Sequence, residues 1–131
     1  MAGVFLLSCY VNSQINMNPY LLSDIAEIEM IPGYLARFVH TDNLTLSFLT
    51  VEAGSALPEH QHPHEQVSMV LEGEFELTVS GKPIRLHPGQ VLVIPSGTLH
   101  SGKAITTCKL LDVFNPVRED YRKLSEQAAG K

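Results

Sequence analysis

Three histidines crowd one short stretch, Gly54-Ser55-Ala56-Leu57-Pro58-Glu59-His60-Gln61-His62-Pro63-His64-Glu65-Gln66. His60 and His62 are two apart, and residues two apart on a strand point to the same face. Two imidazoles about 6–7 Å apart along a strand can converge on one metal, and neutral imidazole suits zinc, nickel, copper and iron. An isolated His-x-His would favour a histidine-rich surface loop, so the choice rests on the surroundings. His64 shares the parity of His60 and His62 but follows Pro63, which places it at the mouth of a site rather than on the metal. His87, in the Leu86-His87-Pro88-Gly89 turn, reads as exposed, and His40 as an ordinary strand residue.

A second group lies further on, in Leu110-Leu111-Asp112-Val113-Phe114-Asn115-Pro116-Val117-Arg118-Glu119-Asp120. This is a strand that leaves the sheet at Pro116. Asp112 and Phe114 share a face. Taken singly, Asp112 reads as a solvent-facing residue, Phe114 as core, and Arg118 as the first turn of a surface helix.

The elements that would hold these groups are strands. Leu44-Thr45-Leu46-Ser47-Phe48 and Glu74-Phe75-Glu76-Leu77-Thr78-Val79 alternate apolar and polar, which puts one face in a core and the other in water. Gly and Pro fall between the runs, at Pro32-Gly33, Ala53-Gly54, Glu72-Gly73, Pro88-Gly89 and Pro95-Ser96-Gly97, and Ser80-Gly81-Lys82 reads as a hairpin turn. Short strands with regular punctuation predict an antiparallel sandwich or barrel from about residue 27 onward. Pro19 to Ile28 holds either a short helix or an added edge strand. Pro116 to Ala129 has charges of both signs and good helix formers, and is expected to close the domain as a short exposed helix.

Composition bounds the partners. The chain has 131 residues, 44% of them hydrophobic, enough for one domain with one core. Nine Lys+Arg against fourteen Asp+Glu leave a net charge of −5, which argues against nucleic acid. No stretch approaches a membrane span. Cys9 and Cys108 have no metal-ligand spacing and are expected to be free thiols in a reducing, cytoplasmic compartment. Val4-Phe5-Leu6-Leu7-Ser8-Cys9 is too short and lacks a preceding basic residue for a signal peptide. Residues 1–16 are expected to be a tail or an overlong start before Met17, with residues 17–131 as one domain.

The spacing around the histidines resembles the first motif of the cupin superfamily, Gly-x5-His-x-His-x3-Glu-x6-Gly, here Gly54, His60, His62, Gln66 and Gly73. The second motif, Gly-x5-Pro-x-Gly-x2-His-x3-Asn, is matched by Gly89, Pro95, Gly97 and His100, with Ala104 in place of Asn. The resemblance implies an all-β fold: a single double-stranded β-helix (jelly-roll) barrel with a short C-terminal helix. By the same resemblance the metal ligands are His60, His62, Gln66 and His100, holding one divalent transition metal such as Ni, Zn, Fe or Mn. Gln where the family has Glu supplies a neutral carbonyl oxygen, which leaves the ion its full charge as a Lewis acid. Glu65 is the alternative ligand, one residue out of register.

The Gln ligand and the Asp-x-Phe-x3-Arg ending are similar to the cupins that linearise unsaturated uronates in pectin and alginate breakdown, over roughly residues 30 to 122. That resemblance implies that Asp112, Phe114 and Arg118 line the pocket beside the metal: Asp112 to move a proton, Arg118 to clamp a planar carboxylate, Phe114 to pack on the sugar. The expected partner is a small sugar acid, and, by analogy with small cupins that cover their sheet edges, a second copy in a homodimer. Two other functions fit the same motifs: a metal-dependent dioxygenase, and a non-catalytic sugar-binding module. The latter usually carries an effector segment, for which this chain has no evident room.

Overall fold

The computed structural model describes residues 17–130. The expected tail, residues 1–16, lies outside the described residues, as does Cys9. Ten strands follow one another: β1 (Ile28–Ile31), β2 (Tyr34–His40), β3 (Thr45–Val51), β4 (Ala56–His60), β5 (Glu65–Glu72), β6 (Phe75–Val79), β7 (Lys82–Leu86), β8 (Val91–Ile94), β9 (His100–Ala104) and β10 (Cys108–Asn115). Among the described residues one α-helix, α1 (Glu119–Ala129), follows the strands. The strands pair antiparallel in two sheets, ordered β1-β2-β3-β10-β5-β8 and β4-β9-β6-β7. This is the expected all-β barrel with a C-terminal helix.

The turns form where the sequence permits them. Val79 pairs with Lys82 across a two-residue loop, and both loop residues have positive φ, Ser80 at 49° and Gly81 at 80°. That is the backbone twist a tight hairpin needs. Gly73, at φ 87°, turns β5 into β6; a Cβ there would stand 2.4 Å from the Thr107 carbonyl oxygen. Between Pro19 and Ile28 the chain forms only a 3-10 turn at Leu22–Asp24, before β1 starts at the sheet edge. Arg37 binds that turn through the carbonyls of Leu22, Ser23 and Ile25. Among the described residues no helix is long and apolar enough to cross a membrane.

The core lies between the sheets. Val51, Val70, Phe75, Leu77, Leu86, Ile94 and Leu110 are buried there together, and burying each large side chain stabilises the fold by about 1.5–3 kcal/mol. β6 buries its apolar residues Phe75 and Leu77, as its alternation predicts. β3 does the opposite. Thr45 and Ser47 are buried, while Leu46 and Phe48 lie on the other face, partly exposed. The alternation is there, but its polar side faces the barrel. β5 buries Gln66 and Ser68, and β10 buries Asp112, so three adjacent strands line one end of the barrel with polar groups.

Candidate metal centre

The polar end of the barrel is where the histidines meet. His60 ends β4 and His100 begins β9, and the two are direct cross-strand partners. Their ring centroids are 4.2 Å apart. His62 lies beyond the end of β4, in the loop before β5, so strand parity is not what aims it. The loop does: the His62 Nδ1 sits 3.1 Å from the His64 carbonyl oxygen, and the ring lies edge-on to His100 with centroids 5.0 Å apart. One ring nitrogen from each of His60, His62 and His100 lies within 4.8 Å of the other two.

The hydrogen bonds set the tautomers. Nδ1 of His60 is 2.8 Å from the Pro58 carbonyl oxygen, and Nδ1 of His100 is 2.8 Å from that of Thr98. A carbonyl only accepts, so each of the three Nδ1 atoms donates and each Nε2 presents its lone pair. Among the described residues, the Nε2 of His100 is buried with no protein partner. Burial, then the Arg118 charge and neighbouring His100, pull His62 down to about 4. Burial first, and then His60 and Arg118 against the Thr98 carbonyl, lower His100 as well. Neutral imidazoles at neutral pH are what a metal requires.

Gln66, on β5, points inward, and its neighbour Glu65 is exposed. The Gln66 amide nitrogen donates to Ser68 Oγ at 2.9 Å. Its oxygen is thereby turned to His62 Nε2, 3.1 Å away. Two lone-pair atoms facing each other at that distance repel unless a cation or proton lies between them. This donor set, three imidazoles held by backbone carbonyls and one amide oxygen, fits a divalent transition metal.

Beside these donors is a cavity of about 140 Å³, lined at its polar end by His60, Gln66, His100, Asp112, Phe114 and Arg118. The volume is far above what one water needs. Asp112 pairs across the sheet with Ser68 and Ser47 and is 9% exposed, so the surface reading of this residue is corrected. Burial raises its carboxyl to about 6, against the opposing pull of Ser68, Arg118 and Gln66. Phe114 is buried, its ring 5.7 Å from that of His62.

Arg118 is also buried, where a surface helix turn would have exposed it. Its backbone N–H donates to Thr45 Oγ1 at 2.9 Å. Its Nε and Nη2 donate to the two Asp120 carboxylate oxygens at 3.0 and 2.8 Å. The guanidinium carbon lies 3.8 Å from the Tyr121 ring centre and 4.8 Å from that of Phe114.

Tyr121 is the site residue the sequence reading missed. It lines the cavity and stacks on Phe38 at 4.7 Å. Its one signal was the spacing of three from Arg118, which puts both on one side of a first helical turn. Ser47 and Ser68 were missed because an alternating Ser looks solvent-facing. Of the other histidines, His64 stays outside the cluster, edge-on to His62 with centroids 5.5 Å apart. His87 is half exposed beside Glu74. His40 links β2 to the helix, its Nε2 3.1 Å from Ser125 Oγ.

The Cupin domain family matches residues 47–114. The chain is 31% identical over 91 residues to the HTH-type transcriptional regulator PuuR of Escherichia coli (strain K12), covering 64% of this chain and 49% of the regulator. It thus spans about half of that protein's length. It is 25% identical over 109 residues to the pectin degradation protein KdgF of Dickeya dadantii (strain 3937), covering 80% of this chain and 99% of that one. The solved structure of KdgF from Halomonas sp. superposes with a TM-score of 0.76 at 28% identity, covering 81% of this chain and 99% of that chain.

Proposed function

This chain belongs to the cupin domain family, and from that premise we propose that it is a metal-dependent enzyme that opens the ring of 4,5-unsaturated uronates. The observation that carries the reading is one shared wall. Asp112, Phe114 and Arg118 line the same cavity as His60, Gln66 and His100. The near full-length similarity to KdgF, a protein of pectin degradation, supports the substrate class.

A 4,5-unsaturated uronate is a cyclic hemiacetal whose enol-ether double bond is conjugated to a carboxylate. Ring opening moves one proton. The anomeric hydroxyl loses its proton and becomes the C1 aldehyde as the C1–O5 bond breaks. The electron pair passes to the enolate at C5, and a proton added at C4 gives the 5-keto acid. Atoms and charge balance without a co-reactant.

His60, His62, Gln66 and His100 would hold a divalent ion, which when bound would supply Lewis acidity toward negative charge on a substrate oxygen. Asp112 is the carboxyl within the cavity positioned to take the hydroxyl proton and return it to C4. Its burial keeps it close to the range where both forms are populated. Arg118 meets the substrate carboxylate with the Nη1 side of its guanidinium, which Asp120 does not engage. Phe114 and Tyr121 pack on the sugar and hold water away. We place this chemistry in the cytoplasm, where the buried Cys108 thiol stays reduced.

The test is incubation with unsaturated galacturonate while its conjugated absorbance is followed, with and without chelator. Metal-dependent acceleration over buffer is expected; equal rates with and without protein contradict the reading. A second reading, a sensing module that binds a sugar acid without turnover, draws on the similarity to a transcriptional regulator. Saturable binding with no loss of absorbance would select it.

A further inference from the structure

We propose that Tyr34 is a specificity-determining residue at the inner end of the cavity, where its hydroxyl donates a hydrogen bond to the substrate hydroxyl on C2, across the ring from the carboxylate. The proposal rests on the ring-opening reading and extends it to a part of the sugar that does not react. Tyr34 is 3% exposed and lines the cavity, yet among the described residues its hydroxyl oxygen is buried with no hydrogen-bond partner. Burial first, and then the Asp112 charge, push the hydroxyl above the ordinary phenol range, so it stays protonated. The Leu57 backbone opposes that shift from nearby. A group that lowers a phenol's pKa donates toward its oxygen, which leaves the hydroxyl's own hydrogen without an acceptor. Leaving a buried donor unmade is costly, and native chains do it rarely.

Strand register fixes where this hydroxyl is rooted. Tyr34 pairs with Val51, the last residue of β3, whereas the Arg118 backbone N–H is tied to Thr45, the first. Between those ends two rows of side chains face the cavity. One is polar, Ser47, Asp112 and Ser68, and the next is apolar, Leu49, Leu110 and Val70. Past Asp112 the wall therefore offers a ligand packing but few hydrogen bonds, until the Tyr34 hydroxyl. The substrate has the matching polarity. Its carboxylate is on C5, and the atom across a six-membered ring from C5 is C2. With the carboxylate at Arg118, the C2 hydroxyl points toward the inner end and takes no part in ring opening. A substrate without that hydroxyl leaves the tyrosine donor unmade in a buried site, and sites built this way discriminate against the analogue that lacks the group.

The experiment compares metal-loaded wild type and Tyr34→Phe on unsaturated galacturonate and on its 2-deoxy counterpart, with kcat and KM separated. The wild type should favour the hydroxylated substrate by at least about 10-fold in kcat/KM. Tyr34→Phe should bring the two substrates level, mainly through KM, and should keep its urea midpoint, because the removed hydroxyl had no partner in the chain. A merely structural role would slow both substrates alike, and that result overturns the proposal. So does a wild type indifferent to the C2 hydroxyl, or a clear fall in the variant's midpoint, which would show the hydroxyl already held within the chain. If the wild type turns over neither substrate, the ring-opening reading fails by itself, and calorimetry with saturated galacturonate and 2-deoxygalacturonate decides the role of Tyr34. Tighter binding of galacturonate by the wild type alone supports it; equal binding of the two, or no binding, overturns it.

Discussion

His60 and His100 face each other across the β4–β9 pair and are oriented by the same local device. In each, Nδ1 meets the backbone carbonyl two residues earlier, Pro58 for one and Thr98 for the other, at 2.8 Å. The two Nε2 lone pairs are therefore aimed by the backbone itself, by β4 at Pro58 and by the loop before β9 at Thr98. Such preorganisation lowers the ordering cost of binding, and it makes each histidine individually testable.

His100→Ala removes the donor whose Nε2 is buried and unpartnered. Metal content after dialysis should fall from one ion per chain to a small fraction, with affinity down by at least about 100-fold. Unchanged stoichiometry by elemental analysis would mean that the ion sits elsewhere.

Arg118→Ala should raise KM roughly 10- to 100-fold with a much smaller change in kcat. A carboxylate clamp acts on bound substrate and transition state alike. A loss confined to kcat would show instead that Arg118 acts on the reacting bond.

The Asp112 carboxyl also shapes stability in metal-free protein. Burial raises its folded pKa to about 6 from an ordinary 3.8, so the native state favours the protonated acid. Its contribution is fully present below about pH 4 and is lost as pH rises through 6, amounting to roughly 3 kcal/mol above that. In chelator, Asp112→Asn should therefore gain stability relative to wild type between pH 4 and pH 7, measured by urea unfolding. A difference that stays flat across that range contradicts the buried, protonated acid.

Much of this architecture is legible in the residues. Gly and Pro mark the turns, and Gly73 shows why they must. Gly73→Ala forces a side chain into positive φ against the Thr107 carbonyl and should cost about 2–4 kcal/mol in urea unfolding. Motif spacing placed His60, His62, Gln66 and His100 around one point, although His62 arrives from a loop rather than from the strand face assumed for it. The period of β3 was legible, but its sign was not. Alternation says that Ser47 and Phe48 face opposite ways, and only the second sheet decides which way is in. Tyr121 was hidden for a related reason, since a helix assigned to the surface gives no hint that a residue of its first turn lines the cavity.

Central to this account is proton movement by Asp112 beside a loaded metal centre. The most direct measurement is the loss of conjugated absorbance of unsaturated galacturonate with metal-loaded wild type and metal-loaded Asp112→Asn, metal content being verified in both. Metal-dependent acceleration by the wild type and a fall of about 10²–10⁴ in kcat for the variant are expected. Equal rates for the two loaded proteins, or no acceleration over buffer by either, would contradict it.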